Sequence, residues 1–312
     1  MNMEKLPLVI INSPTATGKT GMAVNLALEF GGEIISADSM QVYRYLDIGT
    51  AKPTIEERKG IRHHLIDVVN PDEEFNAALF AEKARAIIVE LTGKGKPVFV
   101  VGGTGLYIRA LLRGIIDTPD VDESIRNFYR ALRDTHGKKY LYDMLLKRDD
   151  AAAAQIKPND SVRVIRALEV LEQTGESITV KQKKHSFADR PYSTYKVGIQ
   201  VDREELKKRI EERTDKMVSA GLLDEVKKVL AMGYSENLKS LQSLGYKQAL
   251  GFLNKKYGWD EAINLIKRDT WQYARRQMTW FNADKEINWF GHDSMTEIKK
   301  KVGNFWKDHA LV

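Results

Sequence analysis

The residues best suited to chemistry lie in one short segment, which reads SPTATGKT. It follows the apolar run 7–12 and precedes a helical pattern, which is the context of a phosphate-binding loop. In such a loop the backbone N–H groups and the positive end of the helix dipole attract phosphate oxygens. The lysine adds a positive charge, and the last threonine hydroxyl can hold Mg²⁺. The predicted ligands of a diphosphate or nucleotide are Ser13, Pro14, Thr15, Ala16, Thr17, Gly18, Lys19 and Thr20, with Thr20 also the metal ligand.

Ser13 departs from the usual pattern of this loop, GxxxxGK[ST], which begins with glycine. Because serine tolerates a positive φ less well than glycine does, we expect a slightly altered start of the loop. The loop alone does not identify the reaction. A kinase, an ATPase and an enzyme that stabilises a departing diphosphate could all use it.

Two more polar loops follow apolar runs that read as strands. Asp38, in the segment DSMQ, follows the run 33–37, and Thr104, in the segment GGTG, follows the run 97–101. Open parallel sheets bind ligands at the carboxyl edge of their strands, so Asp38 could act as a general base or hold a metal-bound water. On location alone it could equally be a loop or capping residue. We expect the glycines around Thr104 to let a ligand approach the backbone.

Two arginines are further candidates for the phosphate site. Arg209 and Arg213 lie four residues apart on a predicted helix that Asp202 and Glu205 would cap, so they share a face. They could bind a phosphate, or they could belong to a solvated face, since glutamates interleave with them. The segment 267–280 interleaves basic and aromatic residues, which suits RNA contacts and equally a helix that buries its aromatic side.

The order of the apolar runs predicts the scaffold that positions these loops. Strands are expected at 7–12, 33–37, 65–69, 97–101, 195–201 and 287–290. Their alternation with helices predicts an α/β fold, a P-loop NTPase-like parallel sheet covered by helices. Between about 119 and 190 strand patterns are absent, and helices are expected at 125–132, 140–146, 151–156 and 162–173. We therefore predict a core domain of residues 1–118 plus 191–312 and a helical insertion domain of residues 119–190.

The composition limits the classes of function. The 312 residues include no cysteine, which excludes disulfides and thiolate catalysis. No apolar run reaches the roughly 18 residues of a membrane span, so we expect a cytoplasmic protein without membrane contact. The net charge is +6, and residues 1–115 contribute none of it because 13 basic and 13 acidic residues cancel there. A basic remainder is typical of proteins that bind a polyanion, although +6 is also common among soluble enzymes.

Four motifs follow one another along the first third of the chain: PTATGKT at 14–20, DSMQVY at 38–43, HHLID at 63–67 and GGTGLY at 102–107. In order and spacing they resemble the motifs of the bacterial tRNA dimethylallyltransferases. Later segments agree: ND at 159–160 with Arg163, RALE at 166–169, LGYK at 244–247 and ARRQ at 274–277 through Trp280. The resemblance covers nearly the whole chain. It departs from the family at Ser13, at Ser161-Val162 where Pro-Gln is more usual, and at Asn282 where arginine is common.

The resemblance implies a reaction in which a dimethylallyl group passes from dimethylallyl diphosphate to N6 of the adenosine 3′-adjacent to the anticodon. Asp38 would take the proton that the amine loses, with Thr104 as the second catalytic residue. Loop 13–20, Arg209, Arg213 and Mg²⁺ would stabilise the leaving diphosphate. The target base would have to leave its stack. The implied partners are dimethylallyl diphosphate and the tRNA anticodon stem-loop, and we expect a monomer.

Residues in several segments are expected to contact the tRNA. They are Asp38, Ser39, Met40, Gln41, Thr104, Arg126, Val162, Arg163, Val164, Ile165, Arg166, Gly245, Tyr246, Lys247, Arg275 and Arg276. Arg163 and Arg166 lie three residues apart on a predicted helix and share a face. The alternative for Arg166 is an ion pair with Glu169 or Glu172 that only steadies the helix.

Two rival functions use the same phosphate loop. A small-molecule kinase would bind ATP there, but it would not need a long basic remainder. An RNA-binding ATPase without transferase activity would need an acid that positions water, for which Asp38 is the only strong candidate. The run 97–101 ends in glycines where many such ATPases have an acidic metal ligand, and Asp67 is the nearest substitute.

Overall fold

A computed structural model describes residues 5–116, 118–185 and 190–311. The chain forms two compact units. The large unit comprises residues 1–112 and 190–312, and the small unit comprises residues 113–189.

The large unit is built on a parallel sheet of six strands in the order β3-β2-β4-β1-β5-β6. The strands are β1 (Leu6–Asn12), β2 (Glu33–Ser36), β3 (His63–His64), β4 (Val98–Gly102), β5 (Tyr192–Gln200) and β6 (Ile287–Gly291). Side chains of β1 alternate between the two faces: Leu8 and Ile10 enter one core, and Val9 and Ile11 enter the other. All four are fully buried, as expected for a parallel sheet that is covered on both faces. The predicted fold class is confirmed.

Helices cover both faces of this sheet. The helices of the chain are α1 (Lys19–Phe30), α2 (Ile55–Arg58), α3 (Ala77–Gly93), α4 (Gly105–Arg113), α5 (Glu123–Arg148), α6 (Asp150–Ala153), α7 (Ser161–Thr174), α8 (Ile178–His185), α9 (Arg203–Ser219), α10 (Leu222–Ala231), α11 (Tyr246–Leu253), α12 (Trp259–Asn282) and α13 (Met295–Lys307). Helices α3, α4, α10 and α11 pack on one face, and α1 and α13 pack on the other. Helices α9 and α12 pack on each other through Leu206, Ile210 and Ala274.

The strand predicted at 65–69 is wrong. The strand is only His63–His64, because Leu65 and Asp67 adopt left-handed backbone conformations with φ of 61° and 57°. The amides of residues 67–69 donate to the carbonyls of Gln41 and Val42, which have already left the sheet after β2. The apolar run therefore reflects burial of a loop, with Leu65 in the core, rather than strand pairing.

The small unit is helical and has its own core of residues from α5, α6 and α7. The two helices predicted at 125–132 and 140–146 belong to one element, α5, which is interrupted at Gly137. Gly137 has φ of 84°, a conformation that glycine adopts at little cost. Asp122, Asp149 and Asp160 accept hydrogen bonds from amides at the starts of α5, α6 and α7, so each helix begins at a capping aspartate.

Candidate functional site

The phosphate loop curls between β1 and α1. Ala16 and Gly18 have positive φ values of 64° and 87°, and Gly18 directly precedes the helix. The Pro14 carbonyl accepts hydrogen bonds from the Thr17 hydroxyl at 2.9 Å and from Lys19 Nζ at 3.3 Å. The first turn of α1 contains no acidic residue, so its free N–H groups and dipole favour an anion.

Ser13 begins this loop without a left-handed backbone. It lies outside the positive-φ region, so the reason for expecting an altered loop start does not apply. The side chain is fully buried, and its Oγ accepts a hydrogen bond of 2.7 Å from the Ile199 amide. Ser13 thus ties the phosphate loop to the end of β5, which a glycine could not do.

Asp38 and Thr104 lie beside the phosphate loop because of the strand order. Strand β4 is flanked by β2 and β1, so the loops after these three strands are neighbours. Asp38 Oδ1 accepts hydrogen bonds from the amides of Met40 and Gln41 at 2.8 and 3.3 Å. Thr104 Oγ1 accepts one from the Ser39 amide at 3.1 Å. The two predicted catalytic side chains are therefore held in place by backbone groups of adjacent loops.

The glycines around Thr104 make room for the protein's own atoms, not for a ligand. A Cβ on Gly102 would lie 2.1 Å from the Ala37 carbonyl oxygen. A Cβ on Gly103 would lie 2.3 Å from Gln277 Nε2, and one on Gly105 would lie 2.1 Å from Trp280 Nε1. The expectation that these glycines admit a ligand is corrected, because neighbouring loops and α12 already fill the space.

An inner cavity of about 70 Å³ lies at this edge of the sheet, lined by Lys19, Thr20, Asp38 and Arg213 among others. Burial, and next the charge of Arg213, lower the pKa of Lys19 to about 8, while Asp38 acts in the opposite direction. Burial also lowers the pKa of Arg213 from its ordinary value. Among the described residues neither cation has a carboxylate at ion-pair distance; the ion pairs of α9 involve other residues. The cavity therefore offers unneutralised positive charge to an anion.

Arg209, unlike Arg213, does not line the inner cavity. Its Nε donates to Glu205 at 2.7 Å, and the side chain lines an outer cavity of about 810 Å³. Lys19, Thr20 and Arg213 line both the inner and the outer cavity. Arg213 thus lines both cavities at the phosphate loop, whereas Arg209 is paired with Glu205 and lines only the outer one.

A third cavity, of about 340 Å³, collects many of the residues expected to contact tRNA. It is lined by Asp38, Ser39, Met40, Gly245, Lys247 and Arg276 among others. Arg275 is exposed on the same helix as Arg276. Gln41 instead lines the inner cavity, and its Nε2 donates to the Ala51 carbonyl at 3.2 Å.

Tyr246 does not contact the third cavity. Its ring is fully buried, and its hydroxyl donates to Glu225 Oε1 at 2.6 Å. Glu225 also accepts hydrogen bonds from the amides of Asp47, Ile48 and Gly49. The prediction that Tyr246 binds RNA through its side chain is therefore wrong, because the ring supports the 47–49 loop from within the core.

Tyr273 and Gln277 were not among the predicted site residues. They lie four residues apart on α12, and both line the inner cavity. Burial, and next the charge of Asp38, raise the pKa of Tyr273 to about 12. Gln277 is 6% exposed and bonds two loops of the sheet edge. The signal in the sequence was a polar residue one helical turn after an aromatic one, which by itself does not reveal burial.

The small unit uses two of its predicted RNA-binding arginines internally. Glu169 is fully buried and pairs with Arg126 at 3.0 Å and with Arg166 at 3.2 Å. Arg166 also donates to the Thr118 hydroxyl and the Pro119 carbonyl. Both arginines therefore neutralise a buried carboxylate, which is the pairing alternative for Arg166, and their contact with tRNA stays a prediction.

The remaining predicted residues of α7 divide between core and surface. Val164 and Ile165 are buried in the core of the small unit, so the prediction that their side chains bind tRNA is wrong. Val162 is 76% exposed, and the side chain of Arg163 is 67% exposed. These two residues remain available to a partner.

Thr20 fits the expected magnesium position only if a substrate supplies most ligands. Among the residues described by the structure, no cluster of three or more histidines, aspartates or glutamates could hold a metal. Mg²⁺ commonly keeps several waters and binds through substrate phosphates with few protein ligands. A Thr20 hydroxyl at the wall of the cavity that holds Lys19 and Asp38 agrees with that kind of site.

No helix in the described residues is long and apolar enough to cross a membrane.

The family model for IPP transferase matches residues 41–284. The "tRNA dimethylallyltransferase 2" of Syntrophus aciditrophicus is 53% identical over 304 residues, which cover 97% of this chain and 98% of that protein.

Solved structures of tRNA-acting transferases are also similar to this chain. A tRNA isopentenylpyrophosphate transferase from Bacillus halodurans superposes with a TM-score of 0.72 at 39% identity and covers 98% of both chains. A eukaryotic dimethylallyltransferase acting on tRNA gives a TM-score of 0.77 at 27% identity, over 93% of this chain and 75% of the other.

Proposed function

Because the chain belongs to the IPP transferase family, we propose that it transfers a dimethylallyl group from dimethylallyl diphosphate to a tRNA adenosine. The acceptor is N6 of the adenosine 3′-adjacent to the anticodon, and diphosphate is released. The observation that carries the proposal is the cavity in which Lys19 and Arg213, two cations without an ion pair to any described carboxylate, share a wall with Asp38. This arrangement suits a reaction that expels a polyanion while it removes a proton from the acceptor.

The leaving group is stabilised by the phosphate loop. As the bond between the allylic carbon and the diphosphate oxygen breaks, negative charge grows on the diphosphate. Lys19 and Arg213 line the cavity beside the start of α1, so with the amides of that first turn they would stabilise the transition state more than the ground state. Mg²⁺, held by the Thr20 hydroxyl and the diphosphate oxygens, would supply further charge neutralisation there.

Asp38 accepts the proton that the adenosine amine loses as the new C–N bond forms. Its Oδ1 is fixed by two amides, which leaves Oδ2 for the amine. Asp38 lines both the inner cavity and the third cavity, so one carboxylate serves the donor side and the acceptor side. Thr104 holds the adjoining Ser39 amide and thereby orients the loop of the base.

The acceptor base enters through the third cavity, since that space adjoins Asp38 and is lined by Lys247 and Arg276. An adenosine in a stacked anticodon loop must leave the stack to reach it. Ser39, Met40, Gly245 and the exposed Arg275 complete this surface. In the small unit, Val162 and Arg163 are the predicted contacts that remain.

Incubation of the purified protein with radiolabelled dimethylallyl diphosphate and unmodified tRNA tests the proposal. We expect label to enter tRNA without ATP, and we expect N6-dimethylallyladenosine after digestion of the RNA to nucleosides. A parallel incubation with γ-labelled ATP and small phosphate acceptors tests the kinase alternative. Transfer of γ-phosphate without any transfer of the dimethylallyl group would overturn the proposal.

A further inference from the structure

Gln277 connects two loops that are distant in sequence and adjacent at the sheet edge. Its Oε1 accepts a hydrogen bond of 2.9 Å from the Thr15 amide, in the phosphate loop after β1. Its Nε2 donates a hydrogen bond of 2.8 Å to the Gly103 carbonyl, in the loop after β4. The side chain is 6% exposed; its bond to Gly103 is buried, and its bond from Thr15 is partly buried. One buried amide thus spans the gap between the two loops.

The packing around Gly103 fits this amide closely. A Cβ on Gly103 would lie 2.3 Å from Gln277 Nε2, although the backbone of Gly103 lies outside the positive-φ region and would accept alanine. The glycine is therefore required by the approach of Gln277 and not by its own backbone conformation. A shorter asparagine at position 277 could not reach both loops from the same helix.

The two hydrogen bonds of Gln277 reach the loop proposed to bind the diphosphate and the loop beside the proposed base. On one side it takes up the Thr15 amide, so that this N–H points to α12 and the diphosphate must use other amides of the loop. On the other side Gly103 directly precedes Thr104, whose Oγ1 accepts from the Ser39 amide beside Asp38. Contacts therefore run from the phosphate loop through Gln277 to the loop of the base.

We infer that Gln277 is a positioning residue that sets the distance between the diphosphate on loop 13–20 and the acceptor amine at Asp38. The inference rests on the proposed function, because only a transfer between two substrates needs that distance. A misplacement of about 1 Å between reacting groups can cost about 10²-fold in rate. Each substrate keeps its own ligands when the bridge is lost, so kcat changes and KM does not.

The first test compares Gln277→Met with Gln272→Met, an exposed glutamine on the same helix. We expect Gln277→Met to lower kcat for tRNA prenylation by about 10- to 100-fold, with KM for both substrates within about threefold of wild type. Gln272→Met should match wild type. The rates are measured at a temperature where circular dichroism shows every variant folded. A purely structural role would lower the melting temperature and leave kcat of the folded enzyme unchanged, which would overturn the inference.

The second test displaces the amide from the opposite side. Gly103→Ala pushes Gln277 away without altering the glutamine, so it should reproduce the loss of kcat. The double variant Gly103→Ala/Gln277→Met should then be no slower than the worse single variant, because both changes break the same bridge. Losses that multiply would mean that the two residues act separately and would overturn the inference.

The wild-type enzyme in the same assay separates the two claims. No transfer by the wild type would overturn the proposed function, and with it this inference. Normal transfer by the wild type together with a kcat of Gln277→Met within about twofold would overturn the inference alone.

Discussion

Lys19 and Arg213 in the large unit and Arg126 and Arg166 in the small unit are all partly withdrawn from water, yet among the described residues only the second pair has a carboxylate at ion-pair distance. Glu169 lies fully buried between the two arginines of the small unit. In the large unit the two cations share a cavity wall, and burial together with the charge of Arg213 lowers the pKa of Lys19. Asp38 lies near enough to oppose that effect but forms no ion pair with either cation in the described part of the chain.

The difference separates structural charge from functional charge. A buried ion needs a partner, because desolvation without one costs several kcal/mol. In the small unit the partner belongs to the fold, so the charge of the arginines is compensated before any ligand arrives. In the large unit the described residues supply no such partner, and a diphosphate would. The presence of basic residues alone would not have shown which of the two regions binds an anionic ligand.

The largest effect is expected from Asp38→Asn. Asparagine can keep the hydrogen bonds from the amides of Met40 and Gln41, so the loop should stay in place while the base is removed. We expect a loss of about 10²–10⁴ in the single-turnover rate of prenyl transfer, the usual scale of general-base catalysis. Binding of both substrates should stay near wild type. A wild-type single-turnover rate would eliminate Asp38 as the base.

Lys19→Met should come next. The change removes the charge but keeps the aliphatic stem. Because Lys19 faces charge that grows in the transition state, we expect turnover to fall by about 10²–10³ and KM for the prenyl diphosphate to rise. tRNA affinity should barely change. Steady-state kinetics together with a filter-binding assay would check this, and lost tRNA binding with normal diphosphate kinetics would contradict the role of the loop.

Arg166→Ala tests the structural side of the comparison. The variant leaves the buried Glu169 with Arg126 as its remaining partner and removes the bonds to Thr118 and Pro119. We expect a loss of about 1–3 kcal/mol in the free energy of unfolding of the small unit. Urea denaturation followed by circular dichroism would measure it.

Arg163→Ala is the matched control on the same helix. Its side chain is exposed, so its loss should leave stability unchanged but lower the slope of log Kd for tRNA against log salt by up to about one. If Arg166→Ala lowered the salt slope without a loss of stability, the division between structural and functional arginines would fail.

The smallest effect is a dependence of donor binding on pH. The pKa of Lys19 is lowered to about 8, first by burial and then by Arg213, so the side chain loses its proton as the pH rises through 8. A bound diphosphate favours the charged form and raises that pKa. Affinity for dimethylallyl diphosphate without tRNA should therefore be nearly constant between about pH 7 and 8, where the diphosphate keeps its charge, and fall by up to about tenfold per pH unit above it. Calorimetry at several pH values would measure this affinity. In Lys19→Met the affinity should not change above pH 8. A wild-type affinity that does not change above pH 8 would refute the lowered pKa of Lys19.

Much of the scaffold could be predicted from local patterns. The buried strands and the phosphate loop are continuous in sequence, and the strand–helix alternation implies a parallel sheet with its loops at one edge. The run 65–69 misled because hydrophobicity reports burial but does not reveal that Leu65 and Asp67 have left-handed backbones.

The side-chain partners at the site could not be predicted in the same way. Gln277 bonds residues 262 and 174 positions away, and no spacing rule covers such distances. Arg163 and Arg166 look equivalent by helical periodicity, and only the buried position of Glu169 separates them. The prediction succeeded where chain order determined proximity and failed where tertiary packing did.

The hydrogen bond of Ser13 makes the position of the phosphate loop measurable without an activity assay. The ladder between β1 and β5 ends at Ile11 and Val197, and beyond it the Ile199 amide is held by the serine side chain. The exchange of that one amide proton with deuterium therefore depends on whether the phosphate loop stays seated. In D₂O, the NMR signal of the Ile199 amide would persist while the Ser13 hydrogen bond is formed, and it would disappear faster when that bond breaks. The exchange rate of one amide on β5, a strand without catalytic residues, thus reports on the phosphate loop.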